Sequence, residues 1–326
     1  MASHAHAGSR GREADRPEEI PARGWFDIAM RVREEIGHDN ASLIAAGLAL
    51  YALLALFPAL AAIVSLYGLF ASPAEIAGQV QSLSGVLPEQ ASNILRNALQ
   101  NLASQRGQAL GLGAVLGFLL ALWSARKGMV ALMQAMNIAY NEEEKRGFIR
   151  QFLVSLVFTV AAVAGFVLVL LLAVAVPVAL EALPVPDALG IAVTALRWVV
   201  LWALIVTALA IVYRFAPDRN EPRWRWVTWG SAIAATLWIA GSMLFALYVR
   251  NFGTYGETYG ALGGVVVLLL WFYMSAFIVL LGAEINAEME RQTRRDTTRG
   301  EPREMGQREA YAADTLGHSA GRGGRR

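Results

Sequence analysis

Six stretches of this chain, residues 41–70, 110–125, 152–180, 188–213, 227–249 and 260–283, hold between them one charged residue, Arg197. The 326-residue chain has 28 Lys and Arg and 26 Asp and Glu, so nearly all of its charge lies outside these stretches. Half-buried helices and strands of a water-soluble protein mix polar and apolar residues along their length. These stretches do not, which excludes a soluble globular enzyme. A β-barrel is excluded as well, because its strands are about ten residues of alternating polarity. The expected fold is all-α, a polytopic membrane helix bundle with six transmembrane helices.

The connecting segments set the orientation. The first 40 residues carry 6 Lys and Arg, residues 71–108 carry 2, residues 126–150 carry 5, residues 181–187 none, residues 214–225 carry 4, residues 251–259 none, and the segment from Arg291 carries 9. Basic-rich and basic-poor segments alternate without exception, which places both termini in the cytoplasm. The basic residues are thus topology determinants. With a net charge of only +2, they make no case for a nucleic-acid partner. Cys is absent, which removes disulfides, thiolate nucleophiles and Cys-ligated metals. Residues 1–40 carry 14 charges and no apolar run, so no cleavable signal peptide is expected.

The expected plan has three parts. Residues 1–24 are small, charged and punctuated by Pro and Gly, and read as a disordered cytoplasmic tail. Residues 25–290 form the six-span membrane domain. Within it, Trp25, Ala29, Val32 and Ile36 predict an interfacial helix over 25–38, with Arg31, Arg33, Glu34 and Glu35 elsewhere on the wheel. Ser72-Pro-Ala-Glu75 starts a helix, and apolar spacing on both sides of Gly85 and Pro88 predicts an outer helical hairpin over 72–106. Pro58 predicts a kink in the first span. The segment 291–326 reads as a second disordered cytoplasmic tail.

Polar groups at membrane depth are the candidate contacts for a substrate or ion. Arg197 is either an anion or headgroup site or an Arg that snorkels or pairs with Glu181, Asp187 or Glu257. Arg126 and Lys127 abut a short uncharged run, with Asn137 further along. They form either a cationic spot on a cavity or an ordinary positive-inside anchor. Glu284 and Glu288 share a helical face at the end of the last span and either bind a cation or proton or simply reach the interface. The stretch 251–264 is the most unusual. It offers Asn251, Tyr255, Glu257 and Tyr259 as contacts, and Gly256, Gly260 and Gly264 spaced by four for close helix packing. That glycine face also offers a homo-oligomer contact. His38 and His318 lie outside the spans and read as isolated. No GxxxxGK[ST], HExxH or GxSxG motif is present, and no cofactor, metal or catalytic residue is expected.

Four segments in order carry a family resemblance: 46–58 (AGLALYALLALFP), 122–140 (LWSARKGMVALMQAMNIAY), 248–264 (YVRNFGTYGETYGALGG) and 281–288 (LGAEINAE). Over roughly residues 30–290 the chain resembles the YihY/virulence factor BrkB family. The resemblance implies a multi-pass protein of the bacterial inner membrane with a role in the cell envelope. Some members are linked to serum resistance and some to transport of lipid or lipopolysaccharide precursors. The implied function is a transporter or flippase-like protein for a lipid or other amphiphilic envelope molecule, with membrane lipid as partner. The alternative is a non-transporting scaffold that engages envelope-assembly proteins. The family once carried the label ribonuclease BN. A metal-dependent nuclease needs clustered Asp, Glu or His, and none is evident along the sequence, so the chain is expected not to be an enzyme.

Overall fold

The structure is a computed structural model and describes residues 10–67, 109–182, 186–251 and 261–319. It is all-α. The described residues contain a short 3-10 turn at Pro17–Glu19, then α1 (Ala22–His38), α2 (Ala41–Tyr67), α3 (Ala109–Ala139), α4 (Phe148–Ala182), α5 (Asp187–Phe215), α6 (Trp224–Asn251), α7 (Ala261–Glu290) and α8 (Tyr311–Asp314). Each of the six uncharged stretches falls largely on one of the long helices α2 to α7. Four helical segments, Phe148–Val169, Leu189–Phe215, Trp224–Arg250 and Gly263–Glu290, are long and apolar enough to cross a membrane, and α1 with the first part of α2 makes a fifth if the bent pair counts as one. In the most apolar window of each of the four, only 11 to 17% of the residues are buried. Apolar side chains on each of them, such as Val157, Val160, Ile191, Leu244 and Val266, are exposed, so these faces are solvated from outside.

The long helices outrun the bilayer. α4 has 35 residues and α7 has 30, or roughly 52 and 45 Å against a ~30 Å hydrocarbon core. α2 continues as helix through Pro58, whose kink was expected, and α4 continues through Pro177. α3 runs unbroken through Arg126, Lys127 and Gly128, because no residue there removes a backbone donor. Non-glycine residues with positive φ punctuate the chain where helices end. Asn40 (φ 51°) turns α1 into α2, and Asn141 (φ 55°) closes α3. Asn tolerates this left-handed conformation better than most residues.

Two compact units divide the chain. Unit 1 comprises Met1–Ala45, Leu132–Gly241 and Ser275–Arg326, and unit 2 comprises Ala46–Ala131 and Ser242–Met274. Unit 2 holds apolar helix segments with a few polar contacts, such as the Trp271 indole donating to Ser242 at 3.3 Å. Unit 1 has a core of Ala14, Ile20, Ile28, Val32, Trp226 and Met289, flanked by Trp25, Ile36, Leu281 and Ile285.

That core overturns two expectations. Residues 10–24 and 291–319, read as tails from their composition, contain buried side chains such as Arg12, Gln292, Thr293, Thr297, Arg308 and Ala312. Their backbones are tied in. Arg294 N–H donates to Arg12 O, Gly317 N–H to Arg291 O and Asn220 N–H to Glu309 O, each at 2.9 Å. The helix expected over 25–38 begins at Ala22 and packs against the rest of unit 1. Its buried face is Gly24, Asp27, Ile28, Arg31 and Val32, so Arg31, expected away from the apolar stripe, is covered, whereas Arg33 and Glu34 are exposed. Charge-rich composition suggested disorder because partners distant in sequence were not visible there. The hairpin over 72–106 lies outside the described residues, as do residues 1–9 and 320–326.

Candidate functional site

The end of α7 carries buried polar groups on two opposite sides. Glu284, Asn286, Glu288 and Glu290, followed by Gln292, are each at most 2% exposed. Residues spaced by two point in different directions round a helix, so protein must cover this turn on both sides.

Each group has a partner brought from far along the chain. Glu288 accepts from the Arg31 guanidinium of α1 and from Arg291. Arg31 also donates to Gln292 Oε1 at 2.8 Å, to His318 O at 2.8 Å and to Glu288 O at 3.0 Å. Glu290 accepts from Arg219 Nη2 at 2.6 Å and from the Thr297 hydroxyl at 2.7 Å. The Arg219 guanidinium stacks 4.8 Å above the Tyr140 ring. Asn286 Oδ1 accepts from Gly230 N–H at 2.9 Å, and its amide donates to Val227 O at 3.2 Å. Glu284 sits against Asp39, at the corner between α1 and α2, within hydrogen-bonding reach.

The electrostatics follow from this pairing. Burial lowers the Arg219 pKa, but Glu290, Tyr140 and Glu142 together outweigh burial and the group stands above its ordinary value. Arg291 behaves likewise, with burial overcome by Glu288 and Glu35. Arg12 lacks such a carboxylate and donates to carbonyls. Burial, and then the nearby Arg31, push it down to about 10. Burial pushes the Tyr140 phenol well up, so it stays protonated.

The other expected contacts scatter. Asn137 is a clasp. Its amide donates to Glu144 at 3.1 Å and its Oδ1 accepts from Asp218 N–H at 2.7 Å, which ties the end of α3 to the loop after α5. Arg126 and Lys127 belong to unit 2, whereas Asn137, Arg197, Glu284 and Glu288 belong to unit 1. The Arg126 guanidinium lies 5.1 Å from the Trp123 ring centre, and Lys127 is exposed. Arg197 lies beside Trp198 at 5.6 Å. Among its expected partners, the side chains of Glu181 and Asp187 and the whole of Glu257 lie outside the described residues, as do Tyr255, Tyr259, Gly256, Gly260 and the side chain of Asn251. Gly264 is exposed. Among the described residues, Gly230 and Gly282 are two positions of close approach that need glycine. A Cβ on Gly230 would collide with the Asn286 amide, and one on Gly282 with the Tyr213 hydroxyl and Ala234.

Glu288 is taken by two Arg side chains, whereas Glu284 lies against Asp39. One further expectation is corrected. His38 and His318 are not isolated, and acidic residues do cluster with one of them. His318 Nε2 lies 3.0 Å from Glu34, and Glu35, His38 and Asp39 converge within 4.8 Å of one another. Arg31, Arg219 and Asp39 were missed as site residues. A signal existed for Arg31, because it lies three residues after Ile28 and one before Val32, beside the apolar stripe.

The virulence factor BrkB family model matches residues 32–307. The chain is 33% identical over 253 residues to the putative ribonuclease-like protein YfkH of Bacillus subtilis, which covers 76% of this chain and 89% of that protein. It is 27% identical over 259 residues to a UPF0761 membrane protein of Psychromonas ingrahamii, covering 77% and 84%. With a UPF0761 membrane protein of Tolumonas auensis it is 35% identical over 99 residues, covering 30% of this chain and 32% of that protein. No solved structure matches the chain.

Proposed function

Because the chain belongs to the virulence factor BrkB family, we propose that it is a six-span protein of the bacterial inner membrane, with both termini cytoplasmic, that moves a lipid or other amphiphilic envelope molecule. In this reading it is not an enzyme. The ribonuclease-like name belongs to the Bacillus relative.

One observation carries the reading. Glu284, 2% exposed, closes an otherwise apolar spanning segment and meets a second carboxylate, Asp39. An ionisable group so placed is costly unless it serves a substrate, ion or proton path. The outward-facing apolar windows of the four spanning segments supply the lateral surface that a lipid substrate would share. The alternation of basic-rich and basic-poor segments supports the topology.

The test is reconstitution into liposomes that carry a fluorescent phospholipid, with a membrane-impermeant quencher. Movement above protein-free liposomes, reduced by Glu284→Gln, is the expected result. No movement under any ion or proton gradient would defeat it. The scaffold reading draws support from the polar interlock of unit 1, which spends most of its charge on itself. It expects Arg197→Ala and Glu284→Gln both to leave the protein's cellular role intact.

A further inference from the structure

The corner where α1 gives way to α2 carries more negative charge than its neighbours balance. Glu35, His38 and Asp39 lie at positions i, i+3 and i+4, on one face of the end of α1. His38 Nδ1 is 3.1 Å from Asp39 Oδ1 and 3.8 Å from Glu35 Oε2. One oxygen or nitrogen from each residue lies within 4.8 Å of the others. The Asp39 side chain is only 8% exposed, and its Oδ2 is buried with no hydrogen-bond donor among the described residues. What it meets is another carboxyl group, that of buried Glu284.

Two carboxyl groups cannot face each other in a buried place without a cation or a proton between them. Among the described residues, the nearest fixed cations reach Glu288 and Glu35 and leave Asp39 to His38. Arg31 serves Glu288, and Arg291 is shared between Glu288 and Glu35 Oε1, the latter at 2.9 Å. Glu35 Oε2, the second oxygen, is the one that points toward His38. The last carbonyls of α1 add partial negative charge, which also favours a cation there.

We propose that this corner binds one divalent transition-metal cation through His38, Asp39 and Glu35, with Glu284 of α7 as the fourth group. One imidazole among carboxylates suits Zn2+, Mn2+ or Fe2+ better than Mg2+ or Ca2+. Bonds of about 2.0–2.2 Å to a tetrahedral ion put ligand atoms about 3.3–3.6 Å apart. His38, whose side chain is 77% exposed, has room to rotate toward that spacing. The ion would pin the end of α1 to α7 at one point. The proposal does not rest on lipid transport, and its test involves none.

The test uses the full chain in detergent, without a polyhistidine tag and with His4→Ala and His6→Ala to remove the two N-terminal imidazoles. After stripping with chelator, the protein is titrated with Zn2+ by calorimetry, and bound metal is counted by mass spectrometry. The expected result is one Zn2+ per chain, with affinity reduced at least about tenfold by His38→Gln and by Asp39→Asn separately. Because His38 is on the surface, His38→Gln decides alone if Asp39→Asn fails to fold. Bound Mn2+ in place of Zn2+ gives an independent readout, its electron spin resonance spectrum, which His38→Gln should alter. Absence of a stoichiometric ion overturns the proposal. So does an affinity that His38→Gln leaves unchanged, as expected if the two carboxyls merely share a proton.

Discussion

Arg31 and Lys127 show how little the charge of a residue says about its place. From the sequence, Arg31 falls off the apolar stripe of its helix, and Lys127 is either a cationic spot on a cavity or a positive-inside anchor. Arg31 is 1% exposed and meets a carboxylate that is itself 1% exposed, whereas Lys127 is in the open. Truncating one member of a buried pair strands the other charge and costs about 3–5 kcal/mol, while an exposed change costs within about 0.5 kcal/mol. Arg31→Ala should therefore cut unfolding stability in detergent by about that larger amount, and Lys127→Ala should leave it nearly unchanged. Denaturant titration of both variants checks this. The double variant Arg31→Ala/Glu288→Ala should lose less than the sum of the singles, because no charge is then left alone.

At the level of elements, α6 and α7 come close where each has a glycine. The side chain of Asn286 then reaches across to the backbone of Gly230 and Val227, making two hydrogen bonds. Gly230→Ala puts a methyl group into Asn286 and within 2.5 Å of the Gly282 carbonyl oxygen. Overpacking of this kind costs about 1–3 kcal/mol, with the Asn286 bonds lost in addition. A Cβ at Gly165, in α4, meets nothing within 4 Å. Thermal unfolding should show a lowered midpoint for Gly230→Ala and none for Gly165→Ala. The glycines singled out by regular spacing were 256, 260 and 264. Spacing reports which residues share a face, but not which face meets a neighbour, so Gly230 and Gly282 gave no distinguishing signal.

For unit 1 taken as a whole, the two charged ends of the chain are structural members. Asp296 anchors the segment after α7. Burial opposes its ionised form, but N–H donors from Arg303 at 2.8 Å and Thr298 at 2.9 Å, the Thr298 hydroxyl at 2.7 Å and the Arg308 guanidinium hold its pKa below the usual aspartate value. A carboxylate depressed in the folded state contributes stability above its unfolded pKa and loses it as pH falls through the folded one. Protease resistance of residues 291–319 should thus be constant from about pH 8 to pH 5 and fall only below about pH 4. Limited proteolysis across that range tests it. A segment cut equally fast at every pH would show that the anchor does not hold it.

Sequence alone settled the all-α membrane class and roughly where each long helix lies. Solvation by acyl chains is a sum over contiguous residues, and contiguity is what a sequence displays. Only tertiary structure decided which charges are buried and which glycines are crossings. It also decided that the composition-poor ends fold and that His38 has acidic company. Those outcomes depend on pairings such as Arg31 with Glu288, whose members lie 257 residues apart. A charge is soluble or buried according to its partner, and nothing local to Arg31 names that partner.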